Sequence, residues 1–242
     1  MNKKSLIILI LFFTSAIFYY HITDPTQTQT FQITRVIDGD TIETSTNIQI
    51  RLLGINTPEK SQPFYTEATN FLSQQIQNKS VKTKIYGTDK YGRTLAYIFL
   101  DDKEPAPTYK KLKSVRVNIN EQILKQGLAT LYYYEKDNYY EKLKQAEEFA
   151  RLNQKALWQK SPDANCIEII KFQTDEPEIL ILQNTCDKIL NITFKDDANH
   201  IYNEILNPKS QLTKTTSHIW NDDGDTIYIR DEKGLLIFQR YN

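Results

Sequence analysis

The chain of 242 residues has few of the side chains from which many metal and catalytic sites are built. It contains two cysteines, Cys166 and Cys186, which have neither the number nor the spacing that a zinc site needs. None of its three histidines lies within residues 31–160. A general base in that stretch is therefore expected to be a carboxylate.

The chain also lacks net charge, with 30 Lys and Arg against 30 Asp and Glu, but the charge is unevenly distributed. Residues 31–160 hold 20 basic against 15 acidic side chains, a net charge of +5, whereas residues 161–242 hold 8 against 14, a net charge of −6. This asymmetry predicts two domains with different partners. Only the first is suited to a polyanion such as nucleic acid.

The N-terminal segment predicts export. Lys3 and Lys4 precede an unbroken apolar run, Leu6–Phe13, which resumes after Thr14-Ser15-Ala16. Residues 1–22 are therefore either a signal peptide or an uncleaved membrane anchor, with the lysines on the cytoplasmic side. A buried core helix is the weaker interpretation, and no cysteine follows that could carry a lipid. We expect an extracellular or cell-surface protein in which residues 23–30 form a polar linker, and in which Cys166 and Cys186 can pair.

Residues 31–160 show the pattern of a small mixed domain, in a chain that is mainly β (α+β) overall. Short alternating segments predict five strands, and helical spacing predicts three helices. The last two helices are expected from a cap at Asn120 to Gly127, and from about Tyr139 through Trp158. These elements predict a five-stranded barrel of the OB type. The strands are expected near residues 31–37, 41–44, 48–52, 81–86 and 94–100, the first helix at 66–76, and a protruding loop or hairpin at 101–116.

Residues 165–242 follow a second linker, 161–164, and show no helical pattern. Five short strand-like segments occur at regular spacing: "IEII", "EILIL", "ILNITF", "TIYIR" and "LLIFQ". Such a series predicts a β-sandwich.

The stretch "VIDGDT" (36–41) is either a plain hairpin turn or part of a metal site, because Asp-Gly between apolar runs is a strong hairpin signal. The residue types in the neighbouring segments favour a metal-binding site that acts on phosphate. Carboxylate and amide oxygens are the ligands that Ca²⁺ prefers, and arginine is a planar partner for phosphate oxygens. The candidate ligands are Asp38, Asp40, Asn56 and Glu59, and the candidate phosphate partners are Arg51 and Arg93.

Four blocks in this order resemble the staphylococcal nuclease (thermonuclease) family over about residues 31–160: "VIDGDT", "RLLGINTPE", "TDKYGRTLAY" and "NEQILKQGLA". The resemblance implies an OB barrel with three helices that hydrolyses DNA and RNA, single- or double-stranded, with Ca²⁺, leaving 3′-phosphates. It further implies a role for each matching residue. Asp40 is expected as the direct Ca²⁺ carboxylate with Asp38 as an outer-shell partner, Thr57 as a backbone-carbonyl ligand, Glu59 as the general base, Arg51 and Arg93 as phosphate ligands, and Lys90, Tyr91 and Tyr133 beside the nucleotide.

The chain departs from the family pattern at two positions. Asn56 stands where the family has a second calcium carboxylate, which predicts weaker calcium binding. Glu135 stands where the family has a second tyrosine beside the base, which predicts weaker stacking. Each site residue also has a plain alternative, as a solvated strand residue, a helix cap, a turn or a packing tyrosine. These alternatives do not explain why all the groups fall in family order.

The C-terminal stretch resembles a lamin tail domain, an immunoglobulin-like sandwich, above all in "WNDDGDTIYIRDEKG" (220–234). That resemblance implies a targeting or accessory role with an unknown partner, and the net charge of −6 argues against nucleic-acid binding by this domain itself. The aspartates of the block, Asp222, Asp223 and Asp225, could bind a cation, but a solvated Asp-Gly turn is the favoured interpretation. The sequence thus predicts an exported calcium-dependent nuclease; the alternative is a non-catalytic nucleic-acid-binding or adhesion protein that has kept the barrel.

Overall fold

The computed structural model describes residues 27–101, 116–133, 136–198, 200–221 and 224–241. The predicted signal or anchor segment (1–22) and most of the predicted 101–116 loop lie outside these residues. Among the helices of the described residues, none is both long enough and apolar enough to cross a membrane. The described residues divide into two compact units. One lies within residues 1–37, 41–53 and 73–119, and the other within residues 38–40, 54–72 and 120–242.

The first unit contains a closed five-stranded barrel. Five strands pair in the order β3-β2-β1-β5-β6, and a parallel pairing of β3 with β6 closes the ring, while the short β7 extends the edge at β6. Alternate residues such as Ile33, Ile42 and Ile50 are fully buried, as the period of two predicts. The strands are β1 (Gln27–Val36), β2 (Thr41–Thr44), β3 (Gln49–Leu52), β5 (Ser80–Thr88), β6 (Thr94–Asp101) and β7 (Arg116–Asn118).

The predicted barrel is confirmed, and its first strand is longer than expected. β1 begins at Gln27, so four residues of the stretch predicted as a linker pair with β5. Their sequence, "QTQT", is polar on both faces, and so it carries no alternating signal.

The second unit contains the remaining small elements of the nuclease-like region. They are the two-residue strands β4 (Ile55–Asn56) and β8 (Thr130–Leu131), the helix α3 (Tyr140–Leu152), and the helix α2 (Ile119–Lys125) apart from its first residue. Helix α1 (Tyr65–Ile76) begins in this unit and matches its prediction. The barrel is thus accompanied by three helices. Gly127, at φ 74°, follows α2, and a Cβ there would lie 2.3 Å from the carbonyl oxygen of Lys155.

Two helix boundaries were predicted wrongly. Asn120 lies inside α2, fully buried, and is not its cap. Helix α3 ends at Leu152, not at Trp158, because Gln154 and Ala156 adopt positive φ angles of 49° and 42° that an α-helix cannot contain. A separate 3₁₀ turn, Ala156–Trp158, follows.

The C-terminal part of the second unit is a two-sheet sandwich of seven strands. One sheet has the order β13-β10-β9 and the other the order β12-β11-β14-β15. Strands β12 and β13 were not predicted from the sequence. Their residues alternate between exposed and half-buried, and Leu206 is their single buried side chain, so they show no alternating apolar pattern. The strands are β9 (Ile167–Gln173), β10 (Glu178–Asn184), β11 (Leu190–Lys195), β12 (Ile201–Leu206), β13 (Gln211–Thr216), β14 (Asp225–Asp231) and β15 (Gly234–Tyr241).

Trp158, which follows α3 in the chain, packs against the sandwich. Its ring is 1% exposed and lies 5.2 Å from Phe238 and 6.1 Å from Tyr228. The backbone beside it is also paired, since Leu235 donates to the carbonyl of Gln159 and accepts from the amide of Ser161. The stretch 159–161 is therefore bound along β15.

Cys166 and Cys186 form a disulfide across a sequence separation of 20 residues, next to the sandwich core. Closing a loop of this size is expected to stabilise the sandwich by about 3 kcal/mol. We expect reduction, or the double change of Cys166 and Cys186 to Ala, to lower the free energy of unfolding by about that amount. Denaturant unfolding with and without dithiothreitol measures the loss, and equal curves for the wild type in both conditions would contradict the expectation.

Candidate active site

The "VIDGDT" turn joins β1 to β2 and carries two aspartates. The amide of Ile37 donates to the carbonyl of Thr41 at 2.9 Å, so the hairpin prediction is confirmed. Within the turn, the amide of Asp40 donates to Oδ1 of Asp38 at 3.0 Å. Asp38 thereby orients the backbone that carries Asp40.

Asp40 is a buried carboxylate, 6% exposed, and is held by Thr57. Its Oδ2 accepts hydrogen bonds from both the amide and the hydroxyl of Thr57, each at 2.8 Å. Gly39 makes this contact possible, because a Cβ at that position would lie 2.8 Å from Oγ1 of Thr57 and 2.8 Å from Cβ of Ala68. The Thr57 side chain was not predicted as a partner of Asp40; only its carbonyl was named.

Asn56 precedes Thr57 at the end of β4, is buried, and faces the sandwich. Its Nδ2 donates to the carbonyls of Asp197 and Ala198, at 3.2 and 3.4 Å. A carboxylate at position 56 would place negative charge against these two carbonyl oxygens. The amide therefore fits a contact that lies 141 residues away in sequence, which no local pattern could reveal.

Glu59 lies on an exposed turn just beyond Thr57 and Pro58. Its amide donates to Oε1 of Gln62 at 3.0 Å, and its carbonyl accepts from the amide of Gln62 at 2.7 Å. The negative charge of Glu59 also interacts with the ammonium group of Lys195 in the sandwich. Burial lowers the pKa of the Lys195 ammonium, and the charges of Asp196, Asp197 and Glu59 oppose that lowering.

Arg51 and Arg93, in the first unit, approach the same residue of the barrel. Thr41 and Arg51 are direct partners in the β2–β3 ladder, and the Arg93 guanidinium donates to Oγ1 of Thr41 at 3.4 Å. Both arginines are half-buried. The Arg51 guanidinium itself donates to the carbonyl of Leu52 at 2.5 Å. The backbone of Arg51 and the guanidinium of Arg93 thus lie beside Thr41, which directly follows Asp40 in the chain.

Asp89 positions Arg93 and was missed by the sequence reading. Its Oδ2 accepts from Nε of Arg93 at 2.8 Å, and its Oδ1 accepts from the amides of Tyr91 and Arg93, each at 2.9 Å. Burial would raise the pKa of Asp89, but the hydrogen bonds and charge of Arg93 and the amide of Tyr91 outweigh it, and so its pKa lies below the usual range. The turn itself was predicted from its glycine, and the spacing Asp-x-x-Gly in "TDKYGR" is the signal that could have identified Asp89 as the residue that holds it.

The predicted nucleotide-flanking residues fall into two groups. Tyr91 is 73% exposed, with Lys90 Nζ 5.1 Å and the Arg93 guanidinium 5.5 Å from its ring. Tyr133 is instead half-buried; its hydroxyl donates to Asp137 at 2.6 Å, and its ring packs against Tyr140 at 5.2 Å. Glu135 lies outside the described residues.

Taken by chemistry, the predicted residues form two sets. The first set belongs to the second unit and supplies oxygen atoms that can bind a metal ion: Asp38, Asp40, Asn56, Thr57 and Glu59. The other set belongs to the first unit and supplies cations and an exposed ring: Arg51, Lys90, Tyr91 and Arg93. No three His, Cys, Asp or Glu side chains of the described residues are grouped so as to hold a metal ion. A cation bound here would rely partly on amide and carbonyl oxygens.

The closed barrel, its three helices and these side chains define an OB-like barrel protein. Residues 49–160 match a family model described as staphylococcal nuclease homologue. A thermonuclease from Staphylococcus hyicus is 32% identical over 142 residues, which cover 54% of this chain and 76% of that protein. An uncharacterized endonuclease from Haemophilus influenzae is 34% identical over 152 residues, covering 61% and 74%. The chain belongs to the staphylococcal nuclease family.

Proposed function

We propose that this protein is an exported, calcium-dependent nuclease that hydrolyses phosphodiester bonds of DNA and RNA. The observation that carries the proposal is that Thr41, which follows the buried carboxylate of Asp40, has Arg51 as its ladder partner and accepts a hydrogen bond from the Arg93 guanidinium. Two guanidinium groups suit the oxygens of one phosphate. The names of its relatives, thermonuclease and endonuclease, support the same activity.

The donor set around Asp40 fits Ca²⁺ by its chemistry. Asp40, the amide oxygen of Asn56 and the carbonyl of Thr57 are the oxygen ligands that would hold the ion, with Asp38 supporting the turn behind them. When bound, Ca²⁺ supplies positive charge at the phosphate and favours deprotonation of a nearby water. Only one of the three ligands carries a full negative charge.

The remaining chemistry belongs to side chains of the chain itself. Arg51 and Arg93 bind the non-bridging oxygens of the phosphate and stabilise the charge that grows on them as water attacks phosphorus. Glu59 accepts a proton from that water. The bond from phosphorus to the 5′-oxygen breaks, the 5′-oxygen leaves with a proton from solvent, and the other product retains a 3′-phosphate.

The Asn56→Asp variant is expected to bind calcium more tightly, because it restores a second carboxylate to the donor set. Its apparent affinity for Ca²⁺ is expected to rise by about tenfold, the size of one additional charge-assisted contact. Calcium titration of the hydrolysis rate measures this change. The new carboxylate also faces the carbonyls of Asp197 and Ala198, so the variant is expected to be less stable than the wild type in the absence of calcium. Unchanged calcium affinity of the folded variant would show that Asn56 does not belong to the calcium ligands.

The proposal also includes export of the protein and a role for the C-terminal sandwich. The Cys166–Cys186 disulfide is the kind of cross-link that persists outside the reducing cytosol, which supports export by the N-terminal segment, with or without retention in the membrane. The sandwich is proposed to be a lamin-tail-like module with a targeting or accessory role.

The function is tested by incubating the purified protein with an end-labelled single-stranded DNA in Ca²⁺ and following the length of the strand. We expect progressive shortening, with 3′-phosphate ends on the products. A strand that is retarded in a native gel and never shortened would instead identify a non-catalytic nucleic-acid-binding protein.

A further inference from the structure

A cavity of about 780 Å³ lies between the segment that carries Asn56 and Thr57 and one sheet of the sandwich. All of its lining residues belong to the second unit. This volume is within the range of sites for small organic ligands. One wall comes from Asn56, Thr57, Pro58 and Pro63, and the opposite wall from β11, β12 and β14.

Two half-buried cations line the sandwich wall, Lys195 and Arg230. Within the described part of the chain, the Arg230 guanidinium makes no hydrogen bond or ion pair, and burial lowers its pKa to about 10. Lys195 Nζ donates to the carbonyl of Ala198 at 3.3 Å and lies 5.5 Å from the Tyr228 ring. The charges of Asp196, Asp197 and Glu59 act on Lys195, whereas Arg230 makes no ion pair with a described residue. A half-buried cation without an ion pair favours binding of an anion.

The carboxylates of the same wall are already engaged or turned to solvent. Glu204 pairs with Lys214 at 2.7 Å. Asp231 accepts from the hydroxyl of Ser161 and from the amides of Lys233 and Gly234, and Glu232 is exposed. These hydrogen bonds leave Asp231 negatively charged, as is Glu232, but among the described residues neither makes an ion pair with Arg230. The Arg230 guanidinium therefore stays available to an anion.

The rest of the cavity wall is apolar, with a few amides. Ile201, Asn203 and Ile205 lie on one face of β12, because side chains alternate along a strand. Ile205 is 65% exposed there, and Pro58 and Pro63 supply apolar surface on the other side. An apolar surface with a few amide groups suits a flat organic ring such as a nucleobase, and the cations suit its phosphate.

We propose that this cavity binds one unpaired nucleotide of a single-stranded nucleic-acid chain, with its phosphate on Arg230 and Lys195 and its base against Ile201 and Ile205. The inference rests on the proposed function, because Thr57 and Pro58 of the cavity wall directly precede the candidate base Glu59. The sandwich then extends the substrate site. The domain's net charge of −6 and the three carboxylates of the lining oppose binding, and Arg230 and Lys195 supply the local contacts that favour it. A base can enter only after it leaves a duplex, so the site favours single strands.

The full-length protein tests the proposal through Arg230→Gln, with Lys171→Gln as a matched control. Lys171 is an exposed cation on β9, in the other sheet. In EGTA, the Kd of Arg230→Gln for a labelled twelve-nucleotide DNA is expected to rise by about tenfold, and that of the control by less than about twofold. The slope of log Kd against log salt is expected to fall by about 0.7 for the lost phosphate contact. A second variant, Ile205→Ser, changes an exposed side chain that folding does not need, and is expected to weaken binding severalfold.

Substrate length separates this inference from the proposed function. In Ca²⁺, wild-type kcat/KM is expected to be higher for the twelve-nucleotide strand than for a trinucleotide, and Arg230→Gln is expected to lose that difference while still cleaving the trinucleotide. Normal cleavage with unchanged Kd in both cavity variants would overturn the subsite, and would assign the cavity to another occupant such as a peptide, while leaving the nuclease proposal intact. Absence of cleavage by the wild type would overturn the proposed function itself.

Discussion

Replacing Glu59 with glutamine is expected to lower the rate of phosphodiester hydrolysis by about 10²- to 10⁴-fold, the range for loss of a general base. Glutamine keeps the shape of the side chain but cannot accept a proton. Glu59 is exposed on a turn that the Gln62 backbone and side chain hold by hydrogen bonds. The fold should therefore tolerate the change, and the loss should appear in kcat with little change in KM.

Glu67→Gln is the control for this experiment. Glu67 is an exposed carboxylate in the first turn of α1, so its change alters the net charge equally. Single-turnover rates at saturating Ca²⁺ compare the two variants. A Glu59→Gln rate within about threefold of the control, far below the effect of losing a general base, would require another base.

The Glu147→Gln variant is expected to lose about 3–5 kcal/mol of stability, because it breaks a buried ion pair and leaves one charge without its partner. Glu147, on α3, is 2% exposed; its Oε2 lies 2.6 Å from Nη1 of Arg240 on β15, and its Oε1 accepts from the amide of Leu131 at 2.7 Å. Arg240 also donates to Thr226 at 2.8 Å. The pair connects the nuclease-like region to the sandwich.

Glu148→Gln provides the comparison for this variant. Glu148 is the next residue of α3, and its pair with Arg151 is exposed and 3.7 Å long. Surface pairs of this kind contribute about 0–1 kcal/mol. Urea unfolding of both variants measures the difference. Equal unfolding free energies would mean that the Glu147–Arg240 pair does not hold the sandwich in place.

Much of the barrel could be predicted because its signals are local. Ile33, Ile42 and Ile50 alternate with polar residues, and the Asp-Gly turn between β1 and β2 needs no distant contact. The helix boundary at Leu152 was missed, since apolar spacing continues to Trp158 and nothing in "LNQKALW" indicates two positive φ angles. β12 and β13 were missed because their side chains are mostly exposed and show no apolar period.

The candidate site was likewise predictable only in part. Family order was enough to name Asp40, Arg51, Glu59 and Arg93, although their catalytic roles stay predictions. The sequence could not predict that Thr57 donates to Asp40, nor that Asn56 contacts the carbonyls of Asp197 and Ala198, because these contacts arise from packing of distant segments. Asn56 was interpreted as a weakened ligand; in the structure it is also a point of attachment for the sandwich.

The most direct test of the nuclease assignment is hydrolysis of single-stranded DNA by the full chain in Ca²⁺, in EGTA, and in Ca²⁺ with Glu59→Gln. We expect rapid digestion in the first arm alone, with activity restored when calcium is added back after EGTA. Equal digestion in all three arms, or none in any, would contradict a calcium-dependent nuclease that uses Glu59 as its base.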